Sequence, residues 1–258
     1  MPIERSAPRY KAAGKSKKAL LFLVIALMLA AVPHVSAASP VSAAQAKKQA
    51  ENEFSAQVIQ DLRGIYLSAP SIDANAAAGI TALTLLAYWN DEAIYQTLRS
   101  ADTPSLTRAA GVAATLAGPA TDLAVAGAIA LKDPETGYLA ANAIIYAGIA
   151  TEVLKFTFGV TRPRAQAGHE PHPFRYFEDG IHDSMPSGHT STAFALARVL
   201  AERYPKYRAA IYAAATAVGL SRIYASAHWP SDVIAGAAVG IWSADQVMGR
   251  SHLLRWEW

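Results

Sequence analysis

The 258-residue chain carries 23 Lys and Arg against 20 Asp and Glu, for a formal net charge of +3. Six of those basic residues but only one of the acidic ones fall in residues 1–18, so the rest of the chain is net −2 and offers no electrostatic case for nucleic-acid binding. The absence of Cys excludes a disulfide scaffold, a Cys-ligated zinc site, a thiol nucleophile and a cysteine-borne lipid anchor, and 52% hydrophobic against 17% charged residues excludes a disordered chain.

The basic segment 1–18 is followed by the uncharged apolar run Ala19–Val32, which Pro33 breaks. Val35-Ser36-Ala37 then offers small residues at the positions a signal peptidase reads. Basic, then apolar, then small is the order of a secretory leader. The run falls short of the roughly 20 residues that a spanning helix needs. Residues 1–37 are therefore expected to be an export signal that sends the protein to the periplasm. The alternative is an uncleaved anchor in the cytoplasmic membrane, with the domain facing the periplasm.

Residues 38–72 are polar. Within them, Phe54, Val58, Ile59, Leu62, Ile65 and Tyr66 recur at helical spacing and predict an amphipathic helix over 45–67. Residues 73–258 form the main domain. Its apolar spacing predicts helices over 74–99, 105–131, 137–159, 189–203, 207–224 and 230–248, with Pro104, Pro134, Pro205 and Pro230 as punctuation. No β-branched alternation reads as a sheet, so the fold class is all-α, a compact bundle of about six helices. The longest stretches free of charge, Ala74–Asn90 and Thr136–Thr151, owe their apolarity mainly to Ala. Such helices fit the packed core of a soluble protein. They fit less well a polytopic membrane protein with small residues at its helix contacts.

Three short segments carry the chemistry. The first runs from Lys155 to Arg162-Pro163, the second is Pro186-Ser187-Gly188-His189, and the third is Ser221-Arg222 followed by His228 and Asp232. Lys155, Arg162 and Arg222 are fixed cations, and an Arg fork matches the oxygens of a phosphate. Ser187-Gly188-His189 sits where a helix should begin, so its amides and the positive dipole end suit an anion. Gly188 lets the backbone approach that anion closely. His228 and Asp232 are about one helical turn apart. The carboxylate can accept from one ring nitrogen and leave the other as nucleophile or base. His189 would be a second, acid/base histidine. Taken singly, each residue is as well explained as a surface charge, a helix cap or a satisfied histidine. Together, in one order within 78 residues, they describe phosphoryl transfer.

These segments resemble the three-part signature of the type 2 phosphatidic acid phosphatase (PAP2) family, related in fold to class A acid phosphatases and vanadium haloperoxidases. The pattern K-x6-RP, PSGH and SR-x5-H-x3-D is matched at every position, and the similarity covers roughly residues 74–248. The resemblance implies that His228 is the nucleophile and forms a phosphohistidine, and that Asp232 orients it. It implies that His189 protonates the leaving alcohol and then activates water. Lys155, Arg162, Arg222, Ser187 and the Gly188 amide would bind phosphate. Ser221 and the motif prolines would be structural, and no metal or other cofactor would be needed.

The implied activity is hydrolysis of phosphate monoesters or pyrophosphates. The partner would be a phosphorylated small molecule or a lipid such as phosphatidic acid or undecaprenyl diphosphate, with association at a membrane surface in the latter case. A vanadium-dependent haloperoxidase is the second reading, and a binding module with a decayed site the third. The loop 164–185, with His169, His172, Phe174, Arg175, Tyr176, Phe177, Glu178, Asp179, His182 and Asp183, matches no metal-ligand spacing. It reads as a polar solvated loop whose aromatic residues flank the pocket. Tyr224 and Trp229 are candidates for the same rim.

Overall fold

The structure, a computed structural model, describes residues 59–101, 103–165, 171–175 and 181–250, with the isolated positions 48 and 56. The expected leader over 1–37 and most of the segment 38–58 lie outside the described residues.

Nine α-helices occur among the described residues. They are α1 over 59–67, α2 (Ala74–Trp89), α3 (Asp91–Ser100), α4 (Pro104–Leu116), α5 (Pro119–Ala130), α6 (Pro134–Phe158), α7 (Gly188–Arg203), α8 (Arg208–Tyr224) and α9 (Pro230–Arg250). The described residues contain no strand, so the all-α class holds. Helix starts follow local chemistry. Asp73 caps α2 by accepting from the Ala76 amide at 2.7 Å, and Thr103 caps α4 ahead of Pro104. Asp133 caps α6 ahead of Pro134, accepting from Thr136 at 3.1 Å. A short polar cap and a proline in the first turn satisfy or remove amides that have no helical acceptor.

Beyond α1, which falls within the separately expected helix 45–67, there are eight helices rather than the six expected, because two expected helices each break in two. The span 74–99 divides at Asn90, whose amide turns back to Ala87 O at 3.0 Å and whose side chain donates to Leu86 O at 2.7 Å. The span 105–131 divides at Gly118-Pro119. Gly118 takes φ 139° and ψ 175°, a conformation essentially closed to other residues, and Pro119 can only begin a new helix.

The helices α6, α7 and α9 pack together at the centre, burying Ala140, Ala143, Ile144 and Ala147 against Ala195, Val199, Ala244 and Val247. An alanine methyl contributes only about 0.8 kcal/mol by burial. Such a core therefore depends on close backbone approach and the dispersion contacts it allows. Gly236 and Gly240, one turn apart on α9, make that approach. A Cβ at Gly236 would lie 2.6 Å from Ser187 O, and one at Gly240 would lie 2.2 Å from Ser191 O. The first turns of α7 and α9 are thereby held side by side.

The outer faces differ from the soluble-core expectation. Leu83, Leu85, Leu86 and Trp89 of α2 and Ile149, Val153 and Phe156 of α6 are exposed. The 25-residue α6 is long and apolar enough to cross a membrane.

Candidate active site

All three sequence segments meet at one end of the central helices. Lys155 lies in the last turn of α6 and is buried at 6% exposure. A Cβ on Gly188 would sit 4.0 Å from its Nζ, so the ammonium lies beside the start of α7. The α7 amides of Gly188, His189 and Thr190 precede the first helical bond, from Ser191 N to Ser187 O at 2.9 Å. Those amides point out of the helix end as an anion cradle. Ser187 itself is fully buried, and its hydroxyl accepts from Thr190 at 2.9 Å.

Arg162 follows α6 and is gripped by Asp183. Its Nε and Nη2 both donate to that carboxylate, the second at 2.8 Å, and Nη1 donates to Ala227 O at 3.3 Å. Burial alone would raise the Asp183 carboxyl. The hydrogen bonds and charge of Arg162 outweigh burial and hold it below the usual carboxylate range. This bidentate clamp, 21 residues apart in sequence, fixes the fork in one orientation. Arg222, in the last turn of α8, is buried, and burial together with the charges of Arg162 and Arg164 holds its pKa below the ordinary value.

His228 sits in the loop before α9 at 2% exposure, with its Nδ1 3.5 Å from Asp232 Oδ2. Asp232, in the first turn of α9, is fully buried. Its Oδ2 also accepts from Ser184 Oγ at 2.5 Å and from the Trp229 amide at 2.8 Å. Burial pushes the Asp232 carboxyl up to about 6, against the pull of those two bonds and of Arg162 and Lys155. Burial, then Arg162, Lys155 and Arg222, hold His228 well below its ordinary pKa. Its imidazole is therefore neutral at pH 7, the form in which a ring nitrogen can attack. His189, in the first turn of α7, is driven down to about 4 by burial, then by Arg222, Lys155 and Arg162. Each of these three cations thus acts on both histidines.

The helix α3 supports the loop that carries His228. Asp91 accepts from both the amide and the hydroxyl of Ser231, the amide at 2.8 Å. Tyr95 donates to Ser226 at 2.8 Å and stacks edge-on with Trp229, and Arg99 donates to Tyr224 O at 2.9 Å. Trp229 is buried and donates from its indole to Thr161 O at 2.8 Å. It is a strut between motifs one and three rather than a rim residue.

The loop 164–185 also departs from a solvated reading over its last described residues. His182 and Ser184 are buried, and Thr161 Oγ1 lies 2.9 Å from His182 Nδ1. Phe174 stays exposed and meets Phe156 edge-on. Among the described residues, no group of three or more His, Asp or Glu is placed to hold a metal ion. His169 and residues 176–180 lie outside the described residues. Asp183, Asp91 and Ser184 are the site residues that spacing did not single out. Asp183 was present in the loop but had no local pattern to distinguish it.

The sequence pattern of the PAP2 superfamily matches residues 136–248, from the first turn of α6 almost to the end of α9. Over that span, less than half of its length, the chain resembles the PAP2 superfamily. A lipid A 1-phosphatase of Rhizobium johnstonii is 36% identical over 100 residues, covering 38% of this chain and 41% of that protein. The match thus spans about two fifths of that curated PAP2 relative's length. The crystal structure of Aquifex aeolicus LpxE superposes with a TM-score of 0.54 at 25% identity, covering 62% of this chain and 94% of the other. A transmembrane PAP2-type phosphatidylglycerolphosphate phosphatase from Bacillus subtilis gives a TM-score of 0.50 at 20% identity, over 70% and 98% of the two chains. At that identity the second likeness concerns the PAP2 fold alone. None of these relatives supports the haloperoxidase reading.

The depressed pKa of His189 has a measurable consequence. Between pH 6.5 and about 4 the unfolded chain takes a proton at this residue that the folded protein refuses. Folding stability is therefore lost as pH falls through that window, by up to about 3 kcal/mol from this group. Asp232, raised to about 6, acts in the opposite direction, because its folded form binds a proton first. A comparison with His189→Asn isolates the histidine. The variant is expected to lose less melting temperature than the parent between pH 6.5 and 4.5. Parallel curves would show that His189 is not desolvated.

Proposed function

We propose that this protein is a PAP2-type phosphatase that hydrolyses a phosphorylated lipid at a membrane surface through a phosphohistidine intermediate. The observation that carries the reading is the convergence of Lys155, Arg162, Arg222 and the α7 amides around His228 and His189. Three cations and a helix start neutralise the charge on the equatorial oxygens of a phosphoryl group. His228 Nε2 attacks phosphorus while Asp232 holds the Nδ1 side of the ring. The bond to the leaving oxygen breaks with its electron pair, and that oxygen takes a proton from His189. His189, now neutral, removes a proton from water, whose oxygen forms the new bond to phosphorus as the bond to His228 breaks. Phosphate leaves, and the enzyme returns to its starting state.

A phosphate dianion in the site favours a protonated His189 by direct attraction. The bound substrate thereby offsets the pull of the three cations on this ring.

The exposed apolar faces of α2 and α6 support the lipid part of the reading, because monomeric soluble proteins rarely expose large contiguous apolar patches. The names of the relatives point the same way. The basic-then-apolar N-terminus supports placement on the periplasmic side of the cytoplasmic membrane.

The test is phosphate release by the purified full chain in detergent from nitrophenyl phosphate, nucleotides, phosphatidic acid, phosphatidylglycerol phosphate, undecaprenyl diphosphate and lipid A, with and without chelator. We expect release from lipid phosphates to exceed that from nucleotides and to survive chelation. The protein should stay with the membrane pellet in high salt and leave it in detergent. Release confined to water-soluble esters by a salt-extractable protein would replace the lipid reading. No release from any ester would end the phosphatase reading.

A further inference from the structure

The ring of His189 has no hydrogen-bond partner among the described residues that would set its orientation, although the chemistry proposed above requires its proton to be aimed at one oxygen. What lies against the ring is backbone. Gly118, at the corner between α4 and α5, turns its bare Cα toward the imidazole. A Cβ there would sit 3.0 Å from His189 Nε2 and 3.1 Å from Cδ2. Ordinary contacts between such atoms fall at about 3.5–4.0 Å. The corner is itself anchored to the helix that carries His189. Asp122, one turn into α5, donates its amide to Gly118 O at 2.9 Å, and α5 packs against α7, where Thr192 donates back to Gly188 O at 3.2 Å and His189 O at 3.3 Å. Thr192 is three residues beyond His189. The Gly118 wall and the His189 ring therefore belong to one braced unit, although 71 residues separate them in sequence.

We propose that Gly118 is a positioning residue for His189, holding the imidazole edge in the plane from which it protonates the leaving oxygen. This rests on the phosphatase reading. A residue with a side chain at 118 turns the ring, so the phosphorus–oxygen bond must break with less help from a proton. The penalty then depends on the leaving group. A nitrophenolate departs without protonation, whereas an alkoxide does not. A residue that merely shaped the bundle would slow all esters alike.

The experiment compares the full chain with Gly118→Ala and His189→Ala on a series of phosphate monoesters from nitrophenyl through phenyl to alkyl. Gly118→Ala is expected to lose only a few-fold on nitrophenyl phosphate and on the order of 10²-fold on the alkyl ester, following the slope of His189→Ala. A uniform loss across the series, with the parent active, overturns the proposal and leaves the phosphatase reading intact. A parent inactive on every ester overturns the reading itself.

Because the backbone at 118 is strained for alanine, a second measurement covers a poorly folded variant. Gly118→Ala should lower the melting temperature at least twice as much with His189 present as in the His189→Ala background, where the ring no longer meets the methyl. Equal losses in both backgrounds overturn the contact.

Discussion

His228→Ala is expected to reduce phosphate release by on the order of 10⁴-fold or more, the effect of removing a nucleophile whose partners cannot act without it. The loss should lie in kcat. Lys155, Arg162, Arg222 and the α7 amides remain to bind phosphate, so inorganic phosphate should still raise the variant's melting temperature. The fold should survive for a specific reason. His228 is buried at 2% exposure, and its Nδ1 has no hydrogen bond closer than the 3.5 Å approach to Asp232. Alanine leaves a small cavity but also removes a costly desolvated ring, and the two effects oppose each other. Turnover of phosphate-labelled substrate, quenched in alkaline detergent to preserve the acid-labile phosphorus–nitrogen bond, should trap label on the parent chain and none on the variant. Substantial turnover by His228→Ala would remove the assigned nucleophile, and label retained by that variant would move the intermediate to another residue.

The same arrangement explains why the cations need their surroundings. Three cations beside two neutral histidines would repel one another strongly in a dry pocket. Asp183 offsets Arg162 directly, and its charge also acts on His228 against the pull of the three cations. Asp183 thus serves charge balance and geometry at once. It holds the guanidinium plane, and it limits how far the local field departs from neutrality between turnovers.

What was legible in the sequence was local. His228 and Asp232 are one turn apart, Ser187-Gly188-His189 reads as a helix start, and the prolines at 104, 134, 205 and 230 each open a helix or 3₁₀ turn, as their missing amide requires. What was not legible depends on contacts between distant residues. Asp183 meets Arg162 across a loop with no periodicity, and Asp91 meets Ser231 across 140 positions. Gly118 reaches His189 only because the chain folds a corner there, and that corner was hidden inside what looked like one apolar helix. Trp229 beside the motif histidine His228 suggested a rim. Its indole instead found the Thr161 carbonyl, because a buried N–H must be satisfied somewhere. The outward apolar faces of α2 and α6 were masked by alanine. It is equally at home against a helix or against lipid, so the exposed Leu83, Leu86, Val153 and Phe156 had to be located in three dimensions.

Gly240→Ala is expected to destabilise the protein by at least about 2–3 kcal/mol, as overpacking against atoms that cannot move aside does. Helix propensity alone predicts the reverse, a gain of about 1 kcal/mol for alanine over glycine inside a helix. The sign of the measured change therefore decides between an exposed glycine and a packed one. The methyl would arrive 2.2 Å from Ser191 O, 2.9 Å from Ala195 N and 3.0 Å from Phe194 Cβ. The first two of these are backbone, so no rotamer change relieves the clash, and α7 must shift from α9 by roughly an ångström. The same interface carries the bond from Ser187 N to Asp232 O at 2.9 Å, which ties the start of α7 to the residue beside His228. A displacement of about 1 Å between reacting groups costs on the order of 10²-fold in rate. Gly240→Ala should therefore lose activity even at temperatures where it remains folded, although residue 240 lies about two turns along α9 from Asp232. Chemical denaturation of the detergent-solubilised protein, paired with kcat on the preferred substrate, measures both. A variant as stable and as active as the parent would mean that α7 and α9 do not approach this closely, and that the geometry joining the two motifs is set elsewhere.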